Sequence, residues 1–182
     1  MQSALVTEPE HLNSEKIEAK YGSYHIDVIA SDGRTRQSAL SSESNGTRVC
    51  RTFALTQFSD EGDAPSAHGT IRGGASIGAT LQRDGWSILK STIHVGHITI
   101  TDRQHTVAQL MHLQTPAKLA LHIYKLSIEK DGDVVDYATI SEIHHPDYLT
   151  EDDVRALFSL DTAKSVKPPQ VDELISIILD AA

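Results

Sequence analysis

The stretch "EIHHPDY", residues 142–148, places a carboxylate, two imidazoles and a phenol close together. Such a set can accept, donate or pass on a proton near neutral pH. The same side chains also ligate metals, but their spacing speaks against that use. His144 and His145 are neighbours and His94 and His97 are three apart, so on strands each pair points to opposite faces. The ten histidines contain no HxH or HExxH pair, and a single cysteine cannot build a thiolate site. A metal site is not expected; one would have to be assembled from distant segments.

Two charged residues stand on faces that otherwise read as apolar. In "DYATISEIH", Ala138, Ile140 and Glu142 share a strand face, and His144 is next in line, where it would tune the protonation of Glu142; His145 is expected to be exposed. In "TRVCRTFALTQF", alternation puts Arg51 with Val49, Phe53 and Leu55. A lone buried charge is costly, so charges at core-facing positions are normally paired or liganded. Two readings follow. One is a structural Arg–Glu pair, or strand ends that water reaches; the other is a partly closed cavity in which Arg51 binds an anion and Glu142 is the acid or base.

Other reactive types have plainer explanations. Cys50 lies in an apolar stretch with no activating partner in view and reads as a buried structural thiol. "GASIG", residues 74–78, has the outline of a hydrolase elbow, yet Ser76 is better read as the cap of a helix that turns Ile77 and Leu81 inward after the Gly73-Gly74 turn. Free N–H groups at that helix start could meet an anion.

The elements that position these residues are mostly strands. "SYHIDVIA" alternates as a strand, with "SDGRTRQ" and "SSESNG" as polar breaks and a segment of undetermined state between them. "SILKSTIHVGHITI" is a long β-branched strand with Ile88, Lys90, Thr92, His94, Ile98 and Ile100 on one side. Asp102 is placed as the cap of a helix in "RQHTVAQLMHLQ" that Pro116 ends. Two alternating runs flank "EKDGD", a β-hairpin signature, and Thr150 caps a short acidic-start helix in "TEDDVRALF". "VDELISIILDAA" carries Val171, Leu174, Ile175 and Ile178 on one helical stripe, fit to cover the core or a second subunit as a homodimer contact.

Composition bounds the rest. At 182 residues, with 39% hydrophobic and 23% charged residues, the chain suits one globular domain. We divide it into an N-terminal segment (1–22) that reads as a tail or a loosely docked helix, a domain (23–160) and a linker with a C-terminal helix (161–182). A net charge of −9 argues against nucleic acid and anionic membrane as partners, so a small molecule or a protein is expected, and an anionic ligand would need local cations such as Arg51 and Lys90. The start "MQSALVTEPEHL" has neither the basic nor the apolar block of a signal peptide, and no apolar run is long enough for a membrane span; with one cysteine, the cytoplasm is the expected location. The acidic cluster Asp60, Glu61 and Asp63 in the 59–63 loop reads as solvated, with a lid as the other possibility.

The order of these features resembles the chorismate lyase fold, which is shared with the UTRA ligand-binding domains of bacterial repressors. The likeness runs over residues 24 to 158: an arginine-bearing strand "CRTFALTQF", a glycine turn and helix with "SIGATL", the long strand "SILKSTIHV", and a final hairpin whose glutamate precedes a proline in "YATISEIHHPDY". The resemblance implies an α+β fold with a mainly antiparallel sheet and packed helices. It implies Arg51 as the carboxylate-binding residue, the backbone around Ile77 and Gly78 as anion donors, and Glu142 as the acid/base group; Lys90 and His144 stand beside these as further substrate-binding candidates. The implied reaction cleaves an enolpyruvyl-bearing cyclic acid to a hydroxybenzoate and pyruvate and needs no metal or organic cofactor. The alternative it implies is a non-catalytic module that binds an aromatic acid. The chain departs from the lyases in placing two histidines between Glu142 and Pro146.

Overall fold

A computed structural model describes residues 12–59, 66–158 and 167–180. The acidic residues Asp60, Glu61 and Asp63 and part of the 161–182 linker lie outside the described residues.

The expected hairpin is present: β5 (Ala117–Lys130) runs antiparallel to β6 (Asp133–His144). Asp131 and Gly132 reverse the chain with φ of 55° and 89°, a region open to these residue types. The "SSESNG" break is a second hairpin turn. Asn45 and Gly46 take φ of 50° and 75° there and join β2 (Thr35–Ser44) to β3 (Thr47–Phe58), so the undetermined segment is a full strand. With β1 (His25–Ser31) and β4 (Ser87–Ile100), these strands form one six-stranded antiparallel sheet in the order β1-β2-β3-β6-β5-β4. The fold is α+β.

Helices cover both faces. On one face α1 (Asn13–Tyr21), α2 (His68–Arg72) and α3 (Ile77–Arg83) bury Ile17, Ile71, Ile77 and Leu81 against Leu40, Ala54, Tyr124 and Ile140. At one end of that face, α5 (Glu151–Leu157) seats Val154 on Val95 and Ala120. On the other face α4 (Thr106–Leu110) and α6 (Pro169–Leu179) bury Val107, Val171, Leu174 and Ile178 against Phe53, Leu121 and Ile143. Each such side chain contributes roughly 1.5–3 kcal/mol on leaving water. The apolar stripe of α6 thus covers this chain's own core. Among the described residues, no helix is long and apolar enough to cross a membrane.

Four local expectations change. Of the two readings of the N-terminal segment, residues 13–21 take the helical one as α1, and more firmly than a loose docking, with Ile17 fully buried and Gly22 closing the helix in the left-handed conformation at φ 79°. His105, not Asp102, caps α4, its ring accepting from the Val107 amide. The other two corrections come from single-residue bulges. In β3, Arg51 is the extra residue, since Leu40 pairs with Thr52 while Ser41 pairs with Cys50. In β4, Ile93 is extra, so Ile88, Lys90 and Thr92 face the α1 side while His94, Ile98 and Ile100 face the other.

Candidate functional site

Between α1, α3 and the sheet lies a cavity of about 80 Å³. Strand register explains its lining. Arg36 pairs with Thr56, Ala54 with Glu142 and Tyr124 with Ile140, so these side chains share the face under α1. Lys90 and Ile88 join them from β4, and Tyr24 and Ile26 close the β1 side. Above the sheet, Leu12, Asn13 and Ser14 roof the cavity from the start of α1, and Ser76, Ile77 and Gly78 from the start of α3. A Cβ built at Gly78 would lie 2.5 Å from Leu12 Cδ2, so the glycine is what admits the Leu12 side chain.

Glu142 is 8% exposed. Its Oε1 accepts from the Tyr124 hydroxyl at 3.2 Å, and its Oε2 lies 3.9 Å from His144 Nε2, a near contact too long for a hydrogen bond. Burial drives the His144 pKa down to about 3, helped by Lys90 and Lys16, so the ring is neutral at neutral pH. His144 Nδ1 is bonded to Thr52 Oγ1 at 3.0 Å, and Asn13 Nδ2 donates to that same oxygen at 3.1 Å. His122, directly across the ladder from Glu142, is likewise held neutral by burial, with a pKa lowered to about 3, and its ring lies 4.8 Å from that of Tyr124.

The buried cation in the same lining is Arg36, 3% exposed. Its Nη1 donates to the carbonyls of Ile71 at 2.8 Å and Ala75 at 2.9 Å, which ties the α2–α3 turn to the sheet. Its Nε is buried with no hydrogen-bond partner, and so is the Tyr24 hydroxyl. Burial lowers the Arg36 pKa, opposed by Tyr137 and Tyr24, and raises that of Tyr24, opposed by Ser76 and Arg36. A buried guanidinium nitrogen without a partner is costly, and its charge favours an anion at this cavity. Lys90 adds a second cation, its Nζ 5.0 Å from the Tyr124 ring centre.

The structure therefore brings Glu142, Lys90, Ile77 and Gly78 into one cavity lining and leaves Arg51 and His144 out of it, His144 lying next to Glu142 on the same strand face. The bulge at Arg51 sends its Nε to Ser42 Oγ at 2.8 Å and its guanidinium over the Tyr21 ring at 4.0 Å, where it supports α1 from outside the cavity. His145 is also corrected: it is 8% exposed, and its ring accepts from the Asp147 amide. Ser76 stands at the start of α3, but its hydroxyl makes no capping bond and lines the cavity instead. "GASIG" joins one helix to another rather than a strand to a helix, so the setting of a nucleophile elbow is not met. Cys50 is buried on the opposite face, its thiol pushed up to about 12 by burial. Sequence reasoning missed Arg36 and Tyr24. The available signal was the alternation of Arg36, Ser38 and Leu40 between two turn segments.

Chemically, the site can neutralise a small organic anion with Arg36 and Lys90 and hold Glu142 beside it as proton acceptor or donor. Its volume is well below the ~300 Å³ at which ordinary ligand sites begin, so a ring-sized ligand requires the lining side chains to give way. Among the described residues, no group of three metal-ligating side chains is close enough to hold an ion. No protein family and no curated relative matches the chain.

Proposed function

We propose that this protein binds a small cyclic or aromatic carboxylate in the cavity under α1 and acts on it as a chorismate-lyase-like enzyme. The observation that carries the reading is Arg36, a buried guanidinium whose side chain lines the same cavity as Glu142 and whose Nε has no hydrogen-bond partner. Arg36 takes the carboxylate-binding role expected of Arg51, and Lys90 offsets the ligand's second negative charge. Glu142 takes the ring proton. As the ether C–O bond breaks, the ring becomes an aromatic hydroxybenzoate, and the enolpyruvate released gains a proton and tautomerises to pyruvate. The apolar walls contributed by Leu40, Ile88 and Leu126 suit a ring and keep water out. A cytoplasmic location fits the reduced, buried Cys50.

The test is incubation with chorismate and enzymatic detection of pyruvate. Wild-type protein is expected to release pyruvate, and Glu142→Gln to lose that activity by about 100-fold or more while staying folded. No pyruvate at high protein concentration refutes the enzyme. A second reading, a non-catalytic aromatic-acid-binding module, is favoured by the position of Arg51, which the lyase resemblance assigned to the site and which lies outside it. In that case hydroxybenzoate or chorismate raises the melting temperature and is recovered unchanged.

A further inference from the structure

We propose that His144 is a positioning residue for Glu142, set by a hydrogen-bond chain that starts on α1, so that docking of α1 over the cavity also orients the carboxylate within it. This inference rests on the reading of Glu142 as the site's proton acceptor.

The chain begins at Tyr148, whose hydroxyl donates to Asn13 Oδ1. Asn13 Nδ2 donates to Thr52 Oγ1 at 3.1 Å, and Thr52 Oγ1 meets His144 Nδ1 at 3.0 Å. With Asn13 as its donor, the Thr52 hydroxyl is free to give its own proton to His144 Nδ1. The neutral ring then carries its proton on Nε2, the nitrogen 3.9 Å from Glu142 Oε2. Glu142 is thus set between the Tyr124 hydroxyl on one oxygen and a ring N–H facing the other. Asn13 links the two parts, because it lines the cavity, belongs to α1 and bonds both Tyr148 and Thr52. If α1 lifts to admit a ligand, the donor on Thr52 leaves, and with it the reason for one tautomer.

The charged and titratable groups that bear on His144 are Glu142 on its own strand, Lys16 on α1, Lys90 on β4, His122 on β5 and Tyr148 just beyond β6. The two lysines oppose a proton on the ring, which keeps it in the neutral form that has a tautomer to set.

Long-range nitrogen–proton NMR spectra of the full chain test the inference without any substrate. Wild-type His144 is expected as a single Nε2–H tautomer, and Thr52→Val and Asn13→Ala as mixtures of tautomers. An Nδ1–H tautomer in the wild type, or a spectrum unmoved by both substitutions, overturns the proposal. Where the protein turns over chorismate, Thr52→Val is expected to lower kcat about 10-fold, the loss of one aligned partner, with KM unchanged and the pH profile displaced. A KM effect alone overturns it. No turnover in the wild type would sink the enzyme reading and leave the tautomer result standing.

Discussion

Arg36 Nη1 is held by the Ile71 carbonyl at 2.8 Å, so the guanidinium that borders the cavity is fixed by the turn that also carries Ser76 and Gly78 to it. Cation and roof are therefore one mechanical unit. Arg36→Lys keeps a charge but loses the planar fork and is expected to weaken binding of a hydroxybenzoate roughly 10-fold or more. Arg51→Met loses the Ser42 bond and the Tyr21 contact; it should cost about 1–2 kcal/mol of stability and leave affinity unchanged. Isothermal titration and urea melts of both variants separate the roles, and an affinity loss confined to Arg51→Met would reverse them.

Leu12 and Gly78 should be energetically coupled. Alanine at 78 gains about 1 kcal/mol of helix propensity over glycine but brings a Cβ to 2.5 Å from Leu12 Cδ2. Gly78→Ala is expected to be at least about 1 kcal/mol more favourable in a Leu12→Ala background than in the wild type. Denaturant midpoints of the two singles and the double close the cycle, and strict additivity would mean that Leu12 does not seat on Gly78.

Stability should fall as the solution is acidified below neutrality, before most carboxylates titrate. His122 and His144 are held neutral by burial to about pH 3, whereas the unfolded chain takes up these protons near 6.5. The unfolded state thus binds more protons between about 3 and 6.5, so this stabilisation is complete above 6.5 and is lost as pH falls through that window. Each ring contributes a slope of about 1 kcal/mol per pH unit. Urea midpoints at three pH values in this window should fall with pH in the wild type and less steeply in His144→Gln; equal slopes would deny the neutral buried ring.

Cys50 should be inert in the folded protein, because burial pushes its thiol up to about 12. With a disulfide reagent at pH 8, labelling should proceed at the rate of unfolding and rise with urea. Fast labelling in buffer alone would place the thiol at the surface. Cys50→Ser is expected to cost about 1–3 kcal/mol, since a hydroxyl there lacks an assured partner.

The parts of the fold legible in the sequence are those where alternation runs unbroken. The Asp131-Gly132 turn, the Thr150 cap and the common face of Glu142 and His144 follow from local pattern, and the register shows all three. Arg51 and His94 were misplaced because a single extra residue in each strand reverses every side chain on one side of it, and nothing in "RVCRTF" or "STIHV" marks the slip. Arg36 was passed over because its strand is built largely of small polar residues that look like loop. Helix α1 is weakly marked in the sequence because its attachment is mainly polar: Lys20 and Tyr21 bond backbone oxygens at Asp147 and Tyr148, Asn13 bonds Thr52, and Ile17 is its one buried apolar anchor.

The pairing of β3 with β6 has a kinetic side. The sheet is two three-stranded meanders, β1-β2-β3 and β4-β5-β6, joined along this one seam. Thr52 and His144, bonded across it, are 92 residues apart in the chain, so closing the seam carries the largest loop entropy of the sheet, while each meander can form from local turns. Arg36 stands on one side of the seam and Glu142 on the other. Each meander alone therefore carries only part of the cavity's lining, and the cavity is complete only once the seam has closed. A cognate carboxylate would report completion of the fold, and two separately expressed halves would regain affinity for it only on finding each other.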